Sequence, residues 1–186
     1  VQVHGGMGFI EETGAAQTLR DARITAIYEG TTAIQANDLL GRKLLRDSGA
    51  AMNSLLDDLT ALLQQSGGDT ESTSDISASA IAAMTQLRRV SVYLAKLGTT
   101  AAAEAYAVSV PFLKLCGFVI GGALLAQAAR IAVVEISRPG ADADFLRAKI
   151  QTARFYMHHW LSQADALARV VEQGGGSVIA AEPALI

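Results

Sequence analysis

The feature that most restricts this chain is the run Leu115 to Ala129 (LCGFVIGGALLAQAA), which carries no charge and is closed off by Lys114 and Arg130. A stretch so apolar has to be surrounded, by lipid or by the rest of the protein. It is shorter than the roughly 18–20 residues that a bilayer crossing requires. A buried helix is the better reading, with no transmembrane segment expected. Other apolar faces must then exist to cover it.

They are present on both sides of the run. From Met52 to Gln65, Leu55, Leu56, Leu59, Leu62 and Leu63 form a narrow stripe at bundle spacing. Asp75 can cap a long helix in which Ile76, Ala80, Met84, Leu87, Ser91, Leu94 and Leu97 recur at intervals of three and four, closed by Gly98 and two threonines. Earlier, Ala36, Leu39, Leu40 and Leu44 share one face of a helix capped by Thr31 or Thr32 and ended by Gly49. Between the two leucine-bearing helices, Ser66 to Ser74 (SGGDTESTS) is polar and reads as a mobile linker.

Ala101 to Ser137 reads as one long helix that Pro111 must kink or break, and Gly121 with Gly122 would admit a close neighbour. After a turn at Arg138, Pro139 and Gly140, Asp142 or Asp144 caps a last helix over Phe145 to Gln173, stopped by Gly174 to Gly176. The remaining tail is apolar without a helical period, docked or frayed. Hydrophobic residues make up 51% of the chain but aromatics only 5%, so the core is built from Ala, Leu, Ile and Val. Closely packed helices use such a core. The expectation is an all-α fold, an antiparallel helical bundle.

Charge excludes some partners. A net charge of -3 with 15 scattered Lys and Arg gives no footprint for a phosphate polymer, so no nucleic acid is expected. The lone Cys116 can form no internal disulfide, which suits a reducing, cytoplasmic setting. No secretory signal pattern opens the sequence. Val1 lies beside a glycine cluster with no initiator Met, so the chain is expected to be part of a longer one.

Chemistry is concentrated near the start. Gly5, Gly6 and Gly8 rule out a regular helix over Val1 to Phe9 and leave a turn or a loop that hugs a ligand. Backbone N–H groups in such a loop can approach a pyrophosphate, and the Gln2 amide can bond to a nucleotide. On spacing alone an ordinary turn is the simpler account, since neither a dinucleotide fingerprint nor a P-loop is present. A short helix is expected over Gly14 to Arg23, interrupted by the β-rich run Ile24 to Tyr28. Glu29 then sits between Tyr28 and Gly30 just ahead of a helix cap. A carboxylate there can be desolvated into a useful base, or can be an exposed acid favoured by the helix dipole.

His158 and His159 are adjacent, so they point about 100° apart on a helix and cannot readily hold one ion. His159 is expected to be a packed, hydrogen-bonded side chain, and no metal site is expected.

Together, Gln2 to Phe9 (QVHGGMGF), Arg20 to Ala22 and Tyr28 to Gln35 (YEGTTAIQ) stand in the order and spacing found near the end of acyl-CoA dehydrogenases. The resemblance is specific over residues 1–48, while residues 49–186, including DFLRAKIQTARFYMHHW and the closing SVIAAEPALI, look like the helical extension of the longer bacterial members. It implies that Glu29 is the base removing the α-proton of an acyl-CoA thioester while hydride leaves the β-carbon for FAD, and that Gly30 lines the thioester site. It implies that Gln2, Gly5 and Gly6 touch the ADP portion of an FAD bound by a neighbouring subunit, with Thr31 and Ala33 a second FAD contact. Ala33 departs from members with Gln there, which leaves only a backbone contact. Further implications are an electron-transfer flavoprotein as acceptor and a homodimer or homotetramer. An acyl-CoA oxidase of the same fold and a non-catalytic helical oligomerisation module are the alternatives. The flavin ring and much of the acyl pocket would lie outside this stretch, so the isolated chain is expected to bind no FAD and to be inactive.

Overall fold

A computed structural model describes residues 1–27, 31–65 and 73–181. The described residues are helical with no strand among them, and the chain separates into two units, Val1–Gln35 and Ala36–Ile186. The expected linker Ser66 to Ser74 falls almost wholly outside the described residues.

In the first unit, short 3-10 turns over Gln2–Gly8 and Glu11–Thr13 lead into helix α1, Ala15–Ile27. The β-rich run does not interrupt α1 before Ile27. Thr25 accommodates the helix by donating its hydroxyl to the Ala22 carbonyl at 2.6 Å, and the isoleucines simply continue the spiral. Intrinsic preference is a weak prior once a helix has started. No residue of α1 is buried.

The second unit opens in helix α2, Thr32–Asp38, which begins in the first unit and widens into a π turn over Leu39–Leu44. Ala36, Leu40 and Leu44 are buried, as their shared face requires. Ser48 and Gly49 are both left-handed (φ 55° and 83°), and the Gly49 N–H reaches back to the Leu44 carbonyl at 2.8 Å. Helix α3, Ala50–Gln64, starts at once. Its cap is Asp47, whose carboxylate accepts from the N–H groups of Gly49 (3.0 Å) and Ala51 (2.9 Å). The bond from Ala51 is the largest influence holding that carboxyl below the usual range.

Helix α4, Ser74–Thr100, is antiparallel to α3, with Arg88 bonding Asn53 and Asp57. Thr73, not Asp75, occupies its N-cap position, and Asp75 lies in the first turn. The predicted stripe is buried from Ile76 to Leu94, with Leu97 partly covered. α4 closes over Gly98 and the two threonines, ending at Thr100. A Cβ on Gly98 would come within 2.6 Å of Leu45, so the glycine serves close approach.

The break expected at Pro111 occurs three residues earlier. Helix α5, Ala102–Ala107, ends at Val108 and helix α6, Ser109–Glu135, begins next to it. Pro111 then lies in the first turn of α6, where its missing N–H costs nothing. The uncharged run forms the middle of α6, and Phe112, Leu115, Val119, Ala123, Ala126 and Ala129 are buried by α3, α4 and the helices that follow. Arg130 is 4% exposed and donates to the Gln65 carbonyl at the end of α3.

The predicted last helix is two. Helix α7, Ala143–His159, is capped by Asp142 through the Phe145 N–H at 3.0 Å. It runs back along α6, and the Tyr156 hydroxyl donates to the Phe118 carbonyl at 3.2 Å. Gly121 and Gly122 face Tyr156 and Leu161, the close approach they suggested. The chain bends at Trp160 because Leu161, 5% exposed, turns in to fill the space left by Gly122. Helix α8, Ala164–Ile179, follows and runs straight through the three glycines. A Cβ at Gly175 would lie 2.6 Å from the Glu104 carbonyl, so these glycines let α8 settle against α5 instead of stopping the helix. The Tyr93 hydroxyl donates to the Glu172 carbonyl (3.0 Å) and Arg89 pairs with the Glu172 carboxylate, fastening α8 to α4.

Candidate functional site

The residues singled out for chemistry all lie in the first unit. Gln2, exposed, opens the 3-10 segment, and that segment is kinked at Gly5 (φ 58°, ψ −138°), a conformation suited to glycine alone. Local bonds fix its path. His4 N–H donates to the Val1 carbonyl at 3.1 Å, Phe9 N–H to Gly6 at 3.2 Å, and the Thr13 hydroxyl to Met7 at 2.9 Å. Gly8 is packed so tightly on the Val1 carbonyl that no side chain fits. Around Gly5 and Gly6, by contrast, an added Cβ would meet nothing within 4 Å. Both glycines thus stand in open space on the segment.

At the other end of α1, Glu29 and Gly30 lie outside the described residues. Their flanks are described, with α1 ending at Ile27 and α2 opening at Thr32. Thr31 is half-buried and Ala33 exposed. The other acids of this unit, Glu11, Glu12 and Asp21, are exposed, and Glu11 is engaged by Arg20 at 3.1 Å.

The second unit supplies no reactive group of its own among the described residues. Burial pushes the Cys116 thiol up to about 12, so it stays protonated and inert. A groove of about 530 Å³ lies where α4 meets the bend between α7 and α8 and includes Ser79, Thr85, Gln86, Arg89, Ser162 and Asp165. Its hydroxyls are turned back on their own helices: Ser79 donates to Asp75, Thr85 to Ile81 and Ser162 to His158. None is hydrogen-bonded to a carboxylate or imidazole, as an activated nucleophile would be. His159 packs on Phe155 as the shared face predicts, with ring centroids 4.2 Å apart, but it is exposed to solvent. The described residues contain no cluster of metal-ligating side chains. Two structural residues escaped the sequence reading, the buried Arg130 and the Gly175 contact, since neither has a local pattern.

Comparison with known proteins places the chain among relatives. The family described as "Acetyl-CoA dehydrogenase C-terminal like" matches over residues 22–182. The 3-methylmercaptopropionyl-CoA dehydrogenase of Ruegeria pomeroyi is 44% identical over 97% of this chain and 31% of its own length. The broad-specificity linear acyl-CoA dehydrogenase FadE5 of Mycobacterium tuberculosis is 29% identical over 92% of the chain and 29% of its own length. The human mitochondrial short-chain specific acyl-CoA dehydrogenase is 50% identical over 44 residues, 24% of the chain and 11% of its own length. The chain thus spans 31% and 29% of the two relatives that it matches almost throughout. With a helical fold, a family match across most of its length and such relatives, the chain belongs to the acyl-CoA dehydrogenase family, as a C-terminal part of it.

Proposed function

We propose that this chain is the C-terminal part of an FAD-dependent enzyme that introduces an α,β double bond into an acyl-CoA thioester, with Glu29 as the base. The reading is carried by the segment YEGTTAIQ at residues 28–35, where an acid stands between the end of α1 and the start of α2. The names of the relatives support the substrate class, each being a dehydrogenase of acyl-CoA.

An α-proton is far less acidic than a carboxylic acid, so the base must be dry, close to the carbon and matched by stabilisation of the thioester carbonyl. The Glu29 carboxylate takes that proton, and its own N–H polarises the carbonyl, an oxyanion-type contact. Gly30 leaves room for the thioester against the backbone. Loss of hydride from the β-carbon completes the double bond. FAD, when bound, supplies the acceptor for that hydride. Gln2, Gly5 and Gly6 would hold its ADP portion on behalf of a neighbouring subunit, and Thr31 and Ala33 a second part of it. Electrons then leave to an electron-transfer flavoprotein, and peroxide formation by the intact enzyme would identify an oxidase instead. Residues 1–48 are the chemical segment in this reading and residues 49–186 a structural extension. The inert Cys116 and self-bonded hydroxyls of the second unit favour that structural role.

Glu29→Gln in the full-length enzyme should lower turnover by at least about 10²–10⁴-fold with flavin content unchanged, measured by dye reduction and absorbance. Near-normal turnover would overturn the assignment. The isolated chain should purify colourless, without flavin absorbance, and a stoichiometric yellow cofactor on it would contradict the division of labour.

A further inference from the structure

Helix α2 has only seven residues, Thr32–Asp38, and a helix so short does not hold its form unaided. Ala33, Ile34 and Gln35 are exposed along it, so what fixes it lies at its other end. There Ala36 is fully buried and the helix widens into the π turn Leu39–Leu44, whose Leu40 and Leu44 belong to the core. Gly41, in the same turn, lies so close to the Tyr106 hydroxyl of α5 that no side chain fits. Apolar contacts hold a helix down without fixing its rotation, because they have no direction. A hydrogen bond has one. Such a bond is present: the hydroxyl of Ser109, a residue 3% exposed, donates to the Asn37 side-chain oxygen at 2.7 Å.

The break between α5 and α6 serves this bond. It falls at Val108 (φ −107°, ψ 13°), although residues 105–110 (AYAVSV) contain neither glycine nor proline. It leaves Ser109 in the first turn of α6 with its hydroxyl turned to α2. Ser79, Thr85 and Ser162 bond back to their own helices, whereas Ser109 reaches a partner 72 residues away in sequence. Glu29 and Gly30 stand just ahead of α2, with only Thr31 between, and the chain from them runs into the helix that Ser109 ties down. We propose that Ser109 is a positioning residue for proton removal by Glu29: through Asn37 it sets the rotation of α2, and with it the path of the chain that enters α2. This rests on the reading of Glu29 as the base. Ser109 belongs to residues 49–186, so the extension takes part in the reaction rate through a single hydroxyl.

The test uses the full-length enzyme with FAD bound. Asn37→Ala and Ser109→Ala should each lower kcat about 10–10²-fold, with KM for the acyl-CoA and flavin content nearly unchanged. Asn37 is exposed, so its substitution should barely move the melting temperature. Asn37→Asp, which keeps the accepting oxygen, should stay near the parent kcat. The double alanine variant should be no slower than either single one, since both cut the same bond. Deuterium at the substrate α-carbon should slow the alanine variants more than the parent, because proton removal becomes the slow step. Parent-like kcat in both alanine variants, with Glu29→Gln inactive, would overturn the positioning role and leave the base assignment standing. Turnover retained by Glu29→Gln would overturn the base assignment and the proposal with it. A loss of kcat that Asn37→Asp shares, or that comes with loss of flavin, would make the pair merely structural and overturn the proposal as well.

Discussion

Residues Val1–Gln35 and Ala36–Ile186 differ in how much they bury. The first unit holds the segments that resemble a catalytic site and almost no interior: among its described residues only Gly8 is buried, while Val3, Phe9 and Ile27 stand exposed. The second holds a continuous core from Leu40 to Val171 and, among its described residues, no activated group. Chemistry demands residues at exact places, often on loops, whereas stability demands only that apolar faces find one another.

The sharpest way to break this contrast is to cut the core. Phe112 is fully buried at the start of α6, and Phe112→Ala should cost about 3–5 kcal/mol of unfolding free energy in denaturant titration. Leu19→Ala, on exposed α1, should stay within about 0.5 kcal/mol. If both variants melted alike, the first unit would have a hidden core and the contrast would fail. A second test concerns the α5–α8 contact. Gly175→Ala pushes a methyl into the Glu104 carbonyl and should cost about 1–3 kcal/mol although alanine is the better helix former. A stabilised variant would mean that α8 does not rest on α5.

A further effect is confined to alkaline pH. Burial raises the Cys116 thiol to about 12, whereas an unfolded cysteine titrates near 8.5. Between those values the unfolded chain releases a proton that the folded one keeps, so stability falls as pH rises through that window. Below it this residue contributes no slope. Cys116→Ser should flatten the alkaline limb of a stability–pH curve, and the native thiol should resist alkylation until the chain unfolds.

Much of the second unit was legible because its helices repeat. The stripe Ile76 to Leu94 on α4 and Leu56, Leu59 and Leu63 on α3 are buried as periodicity predicts, whereas Leu55 of the same α3 stripe is 41% exposed. The failures share one cause. Phe145 to Gln173 reads locally as one helix and Gly174 to Gly176 as its stop, yet the chain bends at Trp160 and α8 passes through the glycines. In each case a distant partner decides: Gly122 for the bend, Glu104 for Gly175. The candidate site was legible in a different way, through the resemblance of QVHGGMGF and YEGTTAIQ, since glycines and a single acid carry no period.

The glycine triplet in α8 has a consequence for local motion. Each glycine weakens an isolated helix by about 1 kcal/mol, so this turn owes its form to its seat on α5. Amide protons from Gly174 to Ile179 should therefore exchange with deuterated solvent sooner than those of central α6, through brief partial openings that leave the rest of the bundle intact. Undocking α5 would release that turn too, so the two helices would loosen as one cooperative element.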